Sequence, residues 1–199
     1  MRQGWPSCAP GLRVGPLGGS FDPPHEGHVH ITAQALRRVR LDRVWWLVSP
    51  GNPLKERGPA EMARRLAACR AIMDHPRVVV TDIEARLGTR RTADTLAALR
   101  ARCPGVRFVW LMGADNLAHF HRWHRWRDIA AAMPMAVLAR PGMQLRAGLS
   151  PAARALARFR VPERDAPLLP VSRPPAWTLL TGQMARISST AIRSGGGWP

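Results

Sequence analysis

The sequence predicts a doubly wound α/β fold, in which one parallel sheet is covered by helices on both faces. Short apolar runs alternate with stretches that have the spacing of amphipathic helices. The apolar runs are nearly continuous, as expected for strands that are buried on both faces. The 199 residues, of which 46% are hydrophobic, suffice for one compact domain. We therefore expect a single domain over residues 1–199, with flexible ends at 1–12 and 194–199.

The predicted elements follow one another as strands separated by helices. Strands are predicted at residues 13–17, 44–48, 78–81, 108–112 and 136–139. Helices are predicted at residues 27–39, 60–73 and 92–102, with Thr92 as the cap of the last one. Residues 140–175 are rich in proline and arginine, with a weak helical pattern near 152–159. We expect them to form a long surface excursion rather than a second domain.

The formal charge of +17 allows two interpretations. A positive field attracts polyanions, including nucleic acid and small phosphorylated substrates. Alternatively, the arginines reflect a compositional bias, which is favoured because they are spread along the chain rather than gathered in one block. No apolar run is long enough to cross a bilayer, and the amino-terminal residues have no continuous hydrophobic stretch. These features predict a cytoplasmic protein with no membrane partner.

The three cysteines, Cys8, Cys69 and Cys103, are scattered along the chain without CxxC spacing. The spacing argues against a disulfide framework and against a zinc ribbon. We expect buried thiols in a reducing compartment.

A glycine- and histidine-containing segment, GGSFDPPHEGH, follows the first predicted strand and runs from Gly18 to His28. Gly18 and Gly19 would let the backbone approach a phosphate without an intervening side chain. His28 falls in the first turn of the next helix, where free N–H groups and the helix dipole favour an anion. His25 and His28 could both direct a ring N–H at one phosphate group.

The same two histidines could instead ligate zinc. However, HEGH is one residue too short for the HExxH arrangement that places both rings on one helical face. No cysteine or acidic residue elsewhere has convincing ligand spacing. The sequence therefore predicts no metal site formed by the protein.

A second candidate anion site lies near the end of the chain, in the segment ISSTAIRS at residues 187–194. Ser188 or Ser189 would cap a helix, and Arg193, four residues after Ser189, would share its face. Taken alone, this segment could equally be an ordinary capped surface helix.

Together these two segments resemble the (G/S)xFDPxHxGH and ISxTxIR signatures of the nucleotidyltransferase superfamily, and the chain looks like a bacterial nicotinate-nucleotide adenylyltransferase from Val14 to Arg193. The resemblance implies a Rossmann-like nucleotidyltransferase fold. It also implies an ATP site that includes the GxD-like motif Gly113-Ala114-Asp115. The residues implied in ATP binding are Gly18, Gly19, Ser20, Phe21, His25, His28, Gly113, Asp115, Ile187, Ser188, Ser189, Thr190 and Arg193.

Lys55 is the only lysine in a chain with 30 basic residues, which suggests a need for a compact, flexible ammonium. It lies in the Gly/Pro-rich loop after the second predicted strand. Family members often carry a PPHK-like segment there, and this sequence has Asn52-Pro53-Leu54-Lys55, without the histidine. We infer that Lys55 contacts phosphate. The catalytic set implied by the resemblance is His25, His28, Lys55 and Arg193.

Two further segments concern the acceptor. The sequence around Thr92 resembles the family's TxxTL helix start, with Arg91 where tyrosine is common. In the run from Phe120 to Trp126, a tryptophan face would attract a cationic pyridinium by about 1–2 kcal/mol when desolvated. The resemblance gives that role to Trp123 and assigns the carboxylate to the backbone N–H of His124, while Trp126 is expected in the core. The residues implied in nicotinate-nucleotide binding are Thr92, Trp123, His124 and Lys55. Alternating aromatic and basic residues also suit single-stranded nucleic acid, but that interpretation leaves both phosphate signatures unexplained.

The activity implied by the resemblance is transfer of the adenylyl group of ATP to nicotinate mononucleotide, with release of pyrophosphate. Mg²⁺ would arrive with ATP, bound mainly through phosphates and water. The alternatives are adenylyl or cytidylyl transfer to another phosphorylated acceptor, such as nicotinamide mononucleotide or phosphopantetheine, and a basic nucleic-acid-binding module. The predicted partners are the two small-molecule substrates, without nucleic acid.

Overall fold

A seven-stranded, entirely parallel sheet forms the centre of the part of the chain that the computed structural model describes, which comprises residues 5–51, 58–139, 144–182, 189–196 and 198. The strand order is β3-β2-β1-β5-β6-β7, and β4 pairs with β1 ahead of β5. The strands are β1 (Arg13–Gly19), β2 (Arg43–Val48), β3 (Val78–Thr81), β4 (Arg107–Phe108), β5 (Trp110–Gly113), β6 (Met135–Leu138) and β7 (Trp177–Leu180).

Helices cover both faces of this sheet, which confirms the predicted fold class. Alternate residues of each strand enter two separate buried clusters, so that Trp45 packs on one face and Trp46 on the other. The α-helices are α1 (Glu26–Arg38), α2 (Met62–Ile72), α3 (Ile83–Leu87), α4 (Thr92–Arg102), α5 (Ala114–His119), α6 (Trp126–Ala132), α7 (Gln144–Gly148), α8 (Pro151–Ala155) and α9 (Ser189–Ser194). Short 3₁₀ helices span Phe120–Arg122, Ala157–Phe159 and Glu163–Val171. No helix within the described ranges is both long and apolar enough to span a bilayer.

The elements differ from the sequence prediction in a few places. The run predicted as one strand at 108–112 is divided at Val109 into β4, which pairs with β1 only, and β5, which pairs with both β1 and β6. The predicted cap of α4 was wrong: Arg91 is the N-cap and Thr92 the first helical residue. In addition, α3 and β7 were not predicted from the sequence.

The predicted surface excursion at 140–175 was wrong for the part that the structure describes. Ala147, Ala152 and Ala153 pack into the buried cluster on one face of the sheet, and Ala166 and Leu169 into the cluster on the other. Alanine is a weak indicator of a buried position, and here the alanines stand in a stretch rich in proline and arginine. They allow the backbone to lie close against the sheet.

The predicted absence of a disulfide was also wrong. Cys8 and Cys103 form a disulfide bond that joins the segment before β1 to the end of α4, across a separation of 95 residues. The backbone N–H of Gly11 also donates to the carbonyl of Gly105. Residues 8–11 are thereby attached to the domain, within a stretch for which the sequence predicted flexibility. Cys69 is a free, buried thiol, as expected.

Candidate active site

The candidate site lies at the edge of the sheet where the parallel strands end. Because β2 and β3 lie on one side of β1 while β5, β6 and β7 lie on the other, the order of the strands reverses direction at β1. Ligands of open α/β sheets bind in the crevice that such a reversal creates, beyond the carboxyl ends of the strands. The loops after β1, β2, β3 and β5, which carry most of the predicted site residues, all leave the sheet at this edge.

The two histidines that follow β1 fix each other at the start of α1. His25 is the N-cap: its Nδ1 accepts from the backbone N–H of Gly27 (3.1 Å), and the Nδ1 of His28 accepts from the backbone N–H of His25 (3.2 Å). Their ring centroids are 4.0 Å apart. Since Nδ1 is an acceptor in both rings, the proton of each neutral imidazole is at Nε2. The reciprocal cap therefore sets two Nε2–H donors beside a helix N-terminus, the arrangement that an anion requires.

The His28 ring packs against buried aromatic side chains. The Phe21 ring stacks on Trp46 at 4.8 Å and lies 4.7 Å from the His28 ring, with Phe21 held at a φ of 47°. The buried indole N–H of Trp46 donates to the Thr32 hydroxyl (2.8 Å), which itself donates to the carbonyl of His28 (2.9 Å). The sequence placed Phe21 among the ATP-binding residues. The structure shows it 1% exposed, so its side chain supports the site from the core.

Packing favours glycine at positions 18 and 19, and most strongly at position 18. A Cβ on Gly18 would lie 2.6 Å from the ring of Trp110, and one on Gly19 would lie 3.3 Å from the ring of Phe21. The strand thus passes close against two aromatic side chains. These aromatic contacts are a reason for glycine that the sequence alone does not reveal.

The last helix packs against the loop that leads into α1. The Ser189 hydroxyl donates to the carbonyl of Pro23 (2.8 Å), and the Arg193 guanidinium donates to the carbonyl of Asp22. The carboxylate of Asp22 accepts from the Trp198 indole N–H (2.7 Å). The two predicted anion-binding segments therefore converge at one place, and Ser189 and Arg193 share a helix face as expected. Lys55, Ile187 and Ser188 lie outside the described residues, as does the side chain of Thr190.

Arg65 is a site-organising residue that the sequence analysis missed. It is 1% exposed, and its guanidinium donates to the carbonyls of Ser20 (2.8 Å), Ser49 (2.7 Å) and Ala60 (2.6 Å). Burial is the main effect on its pKa and lowers it below the ordinary value. Arg65 thus joins the loops after β1 and β2 to the start of α2. Among so many arginines, nothing in the sequence distinguished it.

Glu84 is a second buried charge that the sequence analysis did not identify. It lies in α3, is 5% exposed, and its carboxylate accepts from the Thr95 hydroxyl (3.2 Å). Burial raises the pKa of Glu84 to about 7, although hydrogen bonds from Thr95 and Ser49 act in the opposite direction. Thr92, the predicted acceptor-binding residue, begins α4 at the same edge of the sheet and is half-buried.

The predicted aromatic segment lies between α5 and α6. Trp123 and Trp126 are both half-buried against the core, and both meet the buried ring of Phe120 edge-on, at centroid distances of 5.5 and 5.8 Å. The core prediction for Trp126 therefore holds in part. His124 is exposed.

The GxD-like motif begins α5 directly after β5. Gly113 is the N-cap of that helix, and Asp115 lies exposed in its first turn. Both residues are thus at the carboxyl edge of the sheet, beside the strand that adjoins β1.

Charged side chains of both signs lie at the site, and those that the structure describes do not assemble a metal centre. No group of three or more His, Cys, Asp or Glu residues within the described ranges could hold a metal ion. The cationic contributions come from Arg193 and the buried Arg65, with Asp22 as the acidic residue between the helices. Such an arrangement suits a polyanion that brings its own cation.

Comparison with known proteins agrees with this geometry. Residues 17–195 match the model of the family described as "Cytidylyltransferase-like". A protein of Cereibacter sphaeroides named "Probable nicotinate-nucleotide adenylyltransferase" is 68% identical over 185 residues, which cover 93% of this chain and 98% of that protein. A protein of Roseobacter denitrificans with the same name is 59% identical over 198 residues, which cover 100% of both chains.

Two solved structures with the same fold come from Plasmodium falciparum. The Plasmodium falciparum nicotinic acid mononucleotide adenylyltransferase complexed with NaAD superposes with a TM-score of 0.71 at 14% sequence identity, over 92% of this chain and 83% of that one. The same enzyme complexed with APC gives a TM-score of 0.69. At this level of identity the similarity shows the shared fold.

Proposed function

This chain belongs to the cytidylyltransferase-like family and groups there with the nicotinate-nucleotide adenylyltransferases, and we propose that it transfers the adenylyl group of ATP to nicotinate mononucleotide, a step of NAD biosynthesis. The observation that carries the proposal is that Ser189 and Arg193 of α9 bond to the loop at Asp22 and Pro23, directly before the His25–His28 cap. High identity to relatives with that name supports the choice of acceptor. A cytoplasmic location stays a prediction.

The reaction is a displacement at the α-phosphorus of ATP. A phosphate oxygen of the mononucleotide attacks, the bond from the α-phosphorus to the bridging oxygen breaks, and pyrophosphate leaves with the electron pair. The attacking phosphate is already anionic near neutral pH, so the protein has to position the two substrates and neutralise charge rather than supply a base. The Nε2–H groups of His25 and His28 and the guanidinium of Arg193 are suited to that task. Lys55 is proposed as a further phosphate contact.

The acceptor would occupy the edge beyond α4 and the loop at Trp123. The helix N-terminus at Thr92 offers N–H groups, and the Trp123 face offers a stacking surface for the pyridinium ring. The backbone N–H of His124 would donate to the nicotinate carboxylate. ATP would contact Gly113 and Asp115 with its nucleoside. Mg²⁺ would bind the ATP phosphates and thereby help to neutralise the leaving pyrophosphate.

A pyrophosphate-release assay with several substrate pairs tests the proposal. ATP would be supplied with nicotinate mononucleotide, nicotinamide mononucleotide or phosphopantetheine in turn, and CTP with a phosphorylated alcohol. We expect the highest kcat/KM for ATP with nicotinate mononucleotide. A higher value for another pair would replace the proposed acceptor. Tight, steeply salt-dependent binding of oligonucleotides without pyrophosphate release would support the nucleic-acid alternative.

Substitution of His28 tests the role of its Nε2–H donor. His28→Asn retains an oxygen near the position of Nδ1, which can accept from the His25 N–H, but removes the donor to phosphate. Loss of one donor to the transferring group should lower kcat by about 10²–10³-fold. The melting temperature should change less in His28→Asn than in His28→Ala, which also loses the cap. Turnover of His28→Asn within threefold of wild type would contradict the role assigned to this ring.

A further inference from the structure

The carboxyl group of Glu84 is buried at the site edge without any part in the chemistry described so far. It lies in α3, between β3 and α4, and its Oε1 accepts from the Thr95 hydroxyl (3.2 Å). One carboxyl group therefore links α3, which follows β3, to α4.

The loop before His25 is held by a different buried side chain, Arg65. One of its guanidinium nitrogens donates to the Ser49 carbonyl (2.7 Å) and to the Ser20 carbonyl (2.8 Å). Arg65 is 1% exposed and Glu84 is 5% exposed. The loops after β1 and β2 are thus held by a buried side chain other than the one that holds the start of α4.

Hydrogen bonds connect Glu84 to the start of α4. The Thr95 hydroxyl lies within hydrogen-bonding distance of the Arg91 carbonyl (3.2 Å) and of the Thr89 hydroxyl (2.9 Å), while the Thr89 N–H donates to the backbone carbonyl of Glu84 (3.0 Å). These contacts fix the turn at 89–92, which ends at the α4 N-terminus. The position of Thr92 relative to α3 is therefore set through Glu84.

We propose that Glu84 is a positioning residue for the acceptor nucleotide, which fixes the α4 N-terminus against α3 through Thr95. The inference rests on the proposed function, since it assumes that α4 contacts the acceptor. Arg65 holds the loops at Ser20 and Ser49 independently of Glu84. Loss of the carboxyl group should therefore weaken the acceptor site selectively, and should lower kcat because the attacking oxygen is displaced from its line of approach.

Three variants test this role, with one matched control. Glu84→Leu removes both hydrogen-bonding oxygens, Glu84→Gln retains one acceptor, and Thr95→Val removes the hydroxyl that Glu84 holds. The control is Asp42→Asn, which removes a carboxylate paired with Arg13 at the opposite, amino-terminal edge of the sheet. KM for each substrate, kcat and the melting temperature would be measured for all four.

We expect Glu84→Leu and Thr95→Val to raise KM for the acceptor by about tenfold, the effect of one lost buried hydrogen bond of typical strength. KM for ATP should stay within twofold of wild type, and Glu84→Gln should recover part of the loss. Asp42→Asn should change neither KM. Should Glu84→Leu be too unstable to purify, Thr95→Val carries the same test.

Equal changes in both KM values, or no change in either, would overturn the positioning role while leaving the enzyme's activity intact. If wild type uses a different phosphorylated acceptor, the proposed function fails instead. The same KM comparison then applies to that acceptor, and a selective rise in its KM still supports the role of Glu84.

Discussion

Replacing Arg65 by methionine should destabilise the protein far more than the same replacement at an exposed arginine of the same helix. The Arg65 guanidinium is the hydrogen-bond donor for three carbonyl groups, those of Ser20, Ser49 and Ala60, at 2.6–2.8 Å. Methionine fills a similar volume but donates to none of them.

The size of the effect follows from these three acceptors. A buried carbonyl that loses its donor costs about 1–3 kcal/mol, and hydrogen bonds to charged groups lie at the upper end of that range. The costs are not additive, because the loops can relax and admit water, so we expect about 3–5 kcal/mol in total. For a domain of this size, that corresponds to a fall in melting temperature of about 10 °C.

Urea unfolding of wild type, Arg65→Met and Arg70→Met measures the effect. Arg70 lies in α2 but is exposed, so its replacement should change the free energy of unfolding by no more than about 0.5 kcal/mol. Arg65→Lys should fall between wild type and Arg65→Met, because an ammonium cannot reproduce the planar geometry of the guanidinium. A loss below about 1 kcal/mol in Arg65→Met would refute the assignment of three buried acceptors to this side chain.

Four further expectations follow from the structure. Thr32→Val strands the buried Trp46 indole N–H and should cost about 1–3 kcal/mol in urea unfolding, more than Thr178→Val, whose hydroxyl donates only to a carbonyl. Gly18→Ala places a methyl group 2.6 Å from Trp110 and should cost about 1–3 kcal/mol, whereas Gly148→Ala meets nothing within 4 Å and should be neutral or stabilising. Cys8→Ser should lower the melting temperature in oxidising buffer and match wild type in excess reductant, while a difference that persists in reductant would mean that the disulfide is not its cause. Burial raises the pKa of Glu84 to about 7, so between about pH 4.5 and pH 7 the folded state holds a proton that the unfolded state has released. The free energy of unfolding of wild type should therefore fall relative to that of Glu84→Gln as the pH rises from about 4.5 to about 7, and parallel stability–pH curves would contradict this.

Much of the fold was predictable because its strands are buried on both faces. The run at 43–48 is almost wholly apolar, and β2 and β3 appear where the pattern places them. By contrast, β7 is a run of four residues after a proline-rich stretch, and its assignment depends on pairing with β6. The buried residues of the helices within 144–155 are alanines, and their burial depends on how closely the backbone approaches the sheet.

The candidate site was predictable where chemistry and spacing coincide in a short segment. His25, His28, Ser189 and Arg193 could be identified because each belongs to a compact motif with a phosphate-binding rationale. Arg65 and Glu84 could not, since their importance depends on partners that are distant in sequence, such as Ser20 for Arg65 and Thr95 for Glu84. The Cys8–Cys103 bond was missed for the same reason, because spacing of 95 residues carries no local signal.

The contacts of α9 have a consequence for the order in which the candidate site can assemble. Ser189 and Arg193 bond to residues 166 and 171 positions earlier, in the loop between β1 and α1. All seven strands of the sheet precede α9, so the sheet can pair without it. A chain that lacks α9 would keep every strand and lose both bonds to the loop at Asp22 and Pro23.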